Sequence, residues 1–103
     1  MPTFKLISTA DAHKRSLAEK TKIVDIRDQN SFETDHVEGA FHLTNDSVVQ
    51  FMAEVDVKTP VFVICYHGNS SKGVAQYLSE QGYDDVYSVE GGFVEWRLLH
   101  PIL

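Results

Sequence analysis

The sequence predicts an α/β layered domain built on a mainly parallel sheet of five strands. Three observations predict it. Val61 to Ile64 is an unbroken apolar run, mostly β-branched, as in a strand buried on both faces. Ser70 to Gln81 follows with Val74, Tyr77 and Leu78 at spacings of three and four, the stripe of an amphipathic helix. Short strand patterns and helical patterns then alternate along the chain with short connections, and no repeat or low-complexity tract interrupts them.

Each element has its own signal. Lys5 to Ile7 reads as a first strand. Ser8, with Asp11 three residues on, caps a helix carrying Ala10, Ala12, Leu17 and Ala18. Ile23 to Ile26 is a second strand, where charge appears abruptly as Asp25-Ile26-Arg27-Asp28. Asp25 and Arg27 read as a structural ion pair, with Arg27 within reach of a pocket as the alternative. Ser31 to Asp35 is a helical turn, His36 to Ala40 a turn, and Phe41 to Leu43 a short strand. Asn45 or Asp46 can cap a helix running to about Glu54, with Val48, Val49, Phe51 and Met52 on it. Gly82 falls where a left-handed residue would end the Ser70 helix. Val86 to Val89 is the fifth strand, Gly91-Gly92 a tight turn, and Phe93 to Leu99 a last helix ended by Pro101. Phe93 and Trp96 read as core, while His13 and His100 carry no signal.

Composition bounds the function. A chain of 103 residues is expected to form one domain over 1–103, and 43% hydrophobic residues suffice for a core. The net charge of −6 argues against nucleic-acid binding, which needs clustered Lys and Arg. The one cysteine cannot form an internal disulfide and suits a reducing compartment. No signal peptide or membrane span is evident, so no membrane partner is expected and the expected setting is cytoplasmic.

The chemistry concentrates at Cys65. It ends the buried strand and stands just before the next helix, where unpaired N–H groups and the helix dipole favour an anion. Tyr66, His67, Gly68, Asn69, Ser70 and Ser71 form a polar loop able to turn its N–H groups inward as an anion nest. That is a setting for a thiolate. Cys65 could instead be a buried structural residue, since cysteine packs as a small hydrophobe. No carboxylate lies between Cys65 and Lys72, so Lys72 and His67 make a small basic island on an acidic chain. Lys72 sits in the first helical turn, where a cation opposes the dipole, which favours a substrate-facing role. His67 with Cys65 supplies two ligands at most, so neither a metal site nor a cofactor is expected.

The chain resembles the rhodanese family of sulfurtransferases. The marks are Val24-Asp25-Ile26-Arg27, His36-Val37-Glu38-Gly39-Ala40, Val63-Ile64-Cys65, Ser71-Lys72-Gly73-Val74-Ala75, Gly82-Tyr83 and Gly91-Gly92-Phe93-Val94-Glu95-Trp96, in that order. The loop Cys-Tyr-His-Gly-Asn-Ser-Ser-Lys and the stretch His42-Leu43-Thr44-Asn45-Asp46 are similar to those of single-domain thiosulfate sulfurtransferases. The resemblance implies a central sheet flanked by helices on both faces. It implies a Cys65 nucleophile, with Tyr66, His67, Gly68, Asn69, Ser70, Ser71 and Lys72 around the substrate. The Cys65 thiolate would take the outer sulfur of thiosulfate, release sulfite, and pass the sulfur to cyanide, a small thiol or a thioredoxin-like dithiol protein. Many family members carry Arg after the cysteine and another basic residue later. Here Tyr66 and Ser70 or Ser71 take those places, which predicts weak apparent affinity for thiosulfate. Related dual-specificity phosphatases use a Cys-x5-Arg loop, and the arginine position here is Ser71, poorly equipped for phosphate esters. A non-catalytic binding module is the remaining alternative.

Overall fold

The computed structural model describes residues 2–100 and 102. Ten elements alternate: β1 (Lys5–Ser8), α1 (Thr9–Ala18), β2 (Lys22–Asp25), α2 (Gln29–Thr34), β3 (Phe41–His42), α3 (Val48–Glu54), β4 (Val61–Ile64), α4 (Ser70–Glu80), β5 (Val86–Glu90) and α5 (Gly92–Leu99). The five strands lie in the order β1-β5-β4-β2-β3, and every pairing among them is parallel. The sheet is therefore wholly, not mainly, parallel.

Strand β4 is central because its side chains need cover on both faces. Val61, Phe62, Val63 and Ile64 are all completely buried. Burial stabilises each by about 1.5–3 kcal/mol, more than the span of strand propensities, so packing decides the strand's place. Phe62 and Ile64 join Ile7, Ala12, Phe93 and Trp96, so α1 and α5 cover one face. Val61 and Val63 join Phe51, Ala75 and Leu78, so α3 and α4 cover the other. Phe93 and Trp96 are core residues.

Several local signals operate as the sequence predicts. Ser8 Oγ accepts the Asp11 N–H at 3.1 Å and caps α1. Gly82 has φ +104°, its N–H donates to Ser79 O, and the Tyr83 N–H donates to Leu78 O. That pair of bonds is the Schellman closure of α4. Pro101, predicted to end the last helix, lies outside the described residues.

Three expectations are corrected. Neither Asn45 nor Asp46 caps α3. The N-cap is Ser47, without a side-chain cap bond, and Thr44 Oγ1 accepts the N–H groups of Asp46 and Ser47. A threonine turning back on its own chain displaced the caps suggested by composition. The turn at Ser31 is a short helix starting at Gln29 and capped by Asp28, whose carboxylate accepts the Ser31 N–H. The buried stripe of α4 is Ser71, Ala75, Leu78 and Ser79, while Tyr77 is 44% exposed. Leu78 is buried as predicted and Val74 packs against the core at its edge, but α4 is rotated so that Tyr77 faces outward. Val74 and Tyr77 wall a groove of about 560 Å³ with Leu43 and Val48. The rotation turns Ser71 inward, under Cys65.

Candidate active site

Parallel strands bring their carboxyl ends to one edge, the usual ligand side of such a sheet. Here the ends of β2, β4 and β5 meet, carrying Arg27, Cys65 and Gly91. Cys65 follows the last residue of β4 and is 5% exposed.

The loop after Cys65 wraps around its sulfur. The Gly68 N–H donates to Sγ at 3.2 Å and the Ser71 N–H at 3.3 Å. Ser71 Oγ lies 3.3 Å from Sγ and 2.7 Å from Ser88 Oγ of β5. Asn69, the N-cap of α4, makes no side-chain cap bond. The sulfur itself therefore takes the free N–H at the second helical position, as a capping oxygen would. Burial pushes the Cys65 thiol up. The Ser71 hydroxyl, the Ser71 and Gly68 N–H groups and, last, the His67 N–H outweigh it, and the thiol ends below its ordinary value of 9.0.

Two glycines permit this wrap. Gly68 has φ +96°, and a Cβ there would press on the backbone of Val89 and Gly91 at 3.1 Å. Gly92 has φ +60°, and a Cβ there would stand 2.4 Å from Tyr66 O and 2.6 Å from Cys65 O. The Phe93 N–H donates to Cys65 O at 2.7 Å and the Val94 N–H to Tyr66 O at 3.1 Å. The N-terminus of α5 thus holds down the start of the loop. The Gly91-Gly92 pair is more than a tight turn, because it lets α5 approach that backbone.

Above the sulfur is a cavity of about 360 Å³. Tyr66, His67, Asn69 and Ser70 line it, together with Ile26, Arg27 and Asp28 from the β2 end. Of the residues the sequence singled out, Gly68 and Ser71 bond the sulfur from below. Lys72 does neither: its side chain is exposed and off the cavity lining, and its N–H donates to Asn69 O. Among the described residues, no three His, Cys, Asp or Glu side chains cluster as a metal site.

Arg27 combines both roles considered for it. It lines the cavity, and it pairs with Asp25 through Nη2–Oδ2 at 2.8 Å and Nε contacts at 3.0 and 3.1 Å. Both side chains are buried, at 2% and 0% exposure. Nη2 also donates to Asp35 O at 2.7 Å, and the guanidinium stacks 3.9 Å over Phe93. Its charge is therefore already compensated.

Sequence reasoning missed Asp28. Its carboxylate accepts from the Ser31 hydroxyl, the Ser31 N–H and the Tyr66 hydroxyl, which together hold it below the usual carboxylate range. Tyr66 OH and Ser31 Oγ thus stand side by side on the same carboxylate. A negative charge from a different strand end thus stands at the cavity, and the basic island inferred from the loop alone is not the field a ligand meets.

The geometry has known counterparts. The Rhodanese-like domain family matches residues 8–99. The chain belongs to that family. Among solved structures, a rhodanese-related protein of Thermoplasma volcanium superposes with a TM-score of 0.80, covering 97% of this chain and 98% of that one, at 23% identity. A rhodanese-like domain protein of Staphylococcus aureus gives 0.76 at 26% identity, covering 90% and 91%. A Rhodopseudomonas palustris protein of unknown function, described as a possible tyrosine phosphatase, gives 0.77 at 29% identity, covering 97% and 85%. The rhodanese fold is thus common ground, while the chemistry done on it depends on the residues of this chain.

Proposed function

We propose that this protein is a thiosulfate sulfurtransferase working by double displacement through Cys65. The observation that carries the reading is the sulfur's donor set: two N–H groups and a hydroxyl converge on Sγ and lower the thiol. The thiolate attacks the outer sulfur of thiosulfate. A bond forms between Sγ and that sulfur, the S–S bond of thiosulfate breaks, and its electron pair leaves with sulfite. Cyanide, a small thiol or a thioredoxin-like dithiol protein then takes the outer sulfur, and the pair of the S–S bond returns to Sγ. The loop N–H groups hold negative charge in both states. No cofactor or metal enters these steps, and a cytoplasmic, reducing setting suits the thiol.

Weak apparent affinity for thiosulfate belongs to this reading. Arg27 is neutralised by Asp25, Asp28 is anionic, and Lys72 stands off the cavity. The Rhodopseudomonas neighbour raises a cysteine phosphatase as the second reading. Against it, the position that would hold a phosphate-clamping arginine is Ser71, which is fully buried and bonded to the sulfur. A persulfide-carrying module without turnover is the third.

Intact mass before and after thiosulfate, then after cyanide, tests the proposal. The expected result is a gain of one sulfur atom at millimolar thiosulfate, removed by cyanide and absent in Cys65→Ser. A free thiol that gains nothing would sink the thiosulfate reading. Phosphate-ester turnover by the same protein would favour the second.

A further inference from the structure

Ser88 takes no part in the steps above, yet its place in β5 is unusual for a hydroxyl. It is completely buried in the sheet, and among the described residues its hydroxyl has one partner, Ser71 Oγ at 2.7 Å. We infer that Ser88 is a positioning residue: it donates to Ser71 Oγ and so directs the Ser71 proton onto the Cys65 sulfur.

The argument is a count of protons. A serine hydroxyl has one proton to give, and a thiolate can only accept. With Sγ ionised, the 3.3 Å contact from Ser71 Oγ is made by Ser71 as donor. Ser71 then has no proton left for Ser88, so the 2.7 Å contact is made by Ser88 as donor. The chain runs one way, from Ser88 to Ser71 to Sγ, and no further partner among the described residues could drain it. Without Ser88, the Ser71 hydroxyl is free to turn to a backbone carbonyl, the usual alternative for a serine on a helix.

The consequence for turnover rests on the sulfur-transfer reading. After loading, Sγ is a neutral bridging sulfur and the charge sits on the outer sulfur, so the chain faces a poor acceptor. During discharge the charge returns to Sγ, where the chain meets it. Ser88 therefore favours Cys65 as a leaving group, and acts on discharge rather than on loading.

Ser88→Ala, Ser71→Ala and the double variant of the full chain test this. Two readouts are used: the pH profile of Cys65 alkylation by iodoacetamide, and single-turnover discharge of the loaded protein by cyanide. Charges at the carboxyl edge — Asp25, Arg27, Asp28, His67, Lys72 and Glu90 — are common to all variants, so differences report the hydroxyl chain. Ser88→Ala is expected to raise the alkylation midpoint by about half to one pH unit and slow discharge about three- to tenfold, the scale of a part-lost hydrogen bond to a charge. Loading above the new midpoint is not slowed. On the Ser71→Ala background, Ser88→Ala adds nothing. Ser88→Thr, which keeps the hydroxyl, holds the original midpoint, and Ser88→Gly serves as the second hydroxyl-free variant. An unchanged midpoint, additive effects of the two serines, or equal slowing of loading and discharge would overturn the inference. Failure of the parent protein to load sulfur would instead refute the sulfur-transfer reading, and the alkylation arm would still judge Ser88.

Discussion

Two neighbouring strand ends at the same edge handle charge in opposite ways. At the end of β2, Asp25 and Arg27 are permanent ions locked together out of solvent, with Asp35 O and the Phe93 ring completing the enclosure. At the end of β4, the Cys65 sulfur has no ionic partner among the described residues and is met there by N–H and O–H dipoles. A fixed countercharge suits a charge that stays. Oriented dipoles suit a charge that must leave and return, because they hold it without binding it to one atom's position. The β2 end is therefore built for stability and, on the proposed function, the β4 end for chemistry, although Arg27 lines the same cavity.

The sharpest way to break this comparison is at Arg27. Arg27→Met leaves Asp25 buried and unpaired, and is expected to cost about 3–5 kcal/mol in chemical denaturation. A loss below about 1 kcal/mol would mean that the pair is a binding device and not a structural one. Next is Gly92→Ala, which drives a Cβ into the carbonyls of Cys65 and Tyr66 at a φ of +60°. It should lose more than about 2 kcal/mol and raise the Cys65 alkylation midpoint, since the loop must shift. A variant with native stability and native thiol reactivity would show that α5 does not anchor the loop. The smallest effect is expected at Asp28. Asp28→Asn keeps an N-cap type for α2 while removing the exposed charge, and should improve apparent thiosulfate affinity about twofold, less at high salt. Weakened affinity would place Asp28 among the groups that help the anion.

These contrasts also mark what the sequence could carry. The alternation of elements, the Ser8 cap and the Gly82 closure are local signals, and each was readable. The wrap of N–H groups around Cys65 is legible too, because a strand end followed by a helix start is a local pattern. What escaped reading depends on contacts distant in the chain. Tyr66 and Asp28 are 38 residues apart, Ser71 and Ser88 17 apart. The sequence marks Ser71 as a helix-cap type. Only the rotation of α4 shows it to be the buried floor of the site. The same rotation, which no local pattern encodes, leaves Lys72 exposed and off the cavity lining.

The central claim is that its own loop keeps Cys65 ionised more readily than an ordinary thiol. Hydrogen bonds favour the anion in the fold, so the folded pKa lies below the unfolded one. The linked stability is then fully present above about pH 9 and lost as pH falls through the folded pKa. The direct measurement is the rate of Cys65 alkylation across pH in the native protein and in denaturant. The account predicts a native midpoint clearly below 9.0 and below the denatured midpoint. A native midpoint at or above the denatured one would contradict it, because burial would then outweigh the loop.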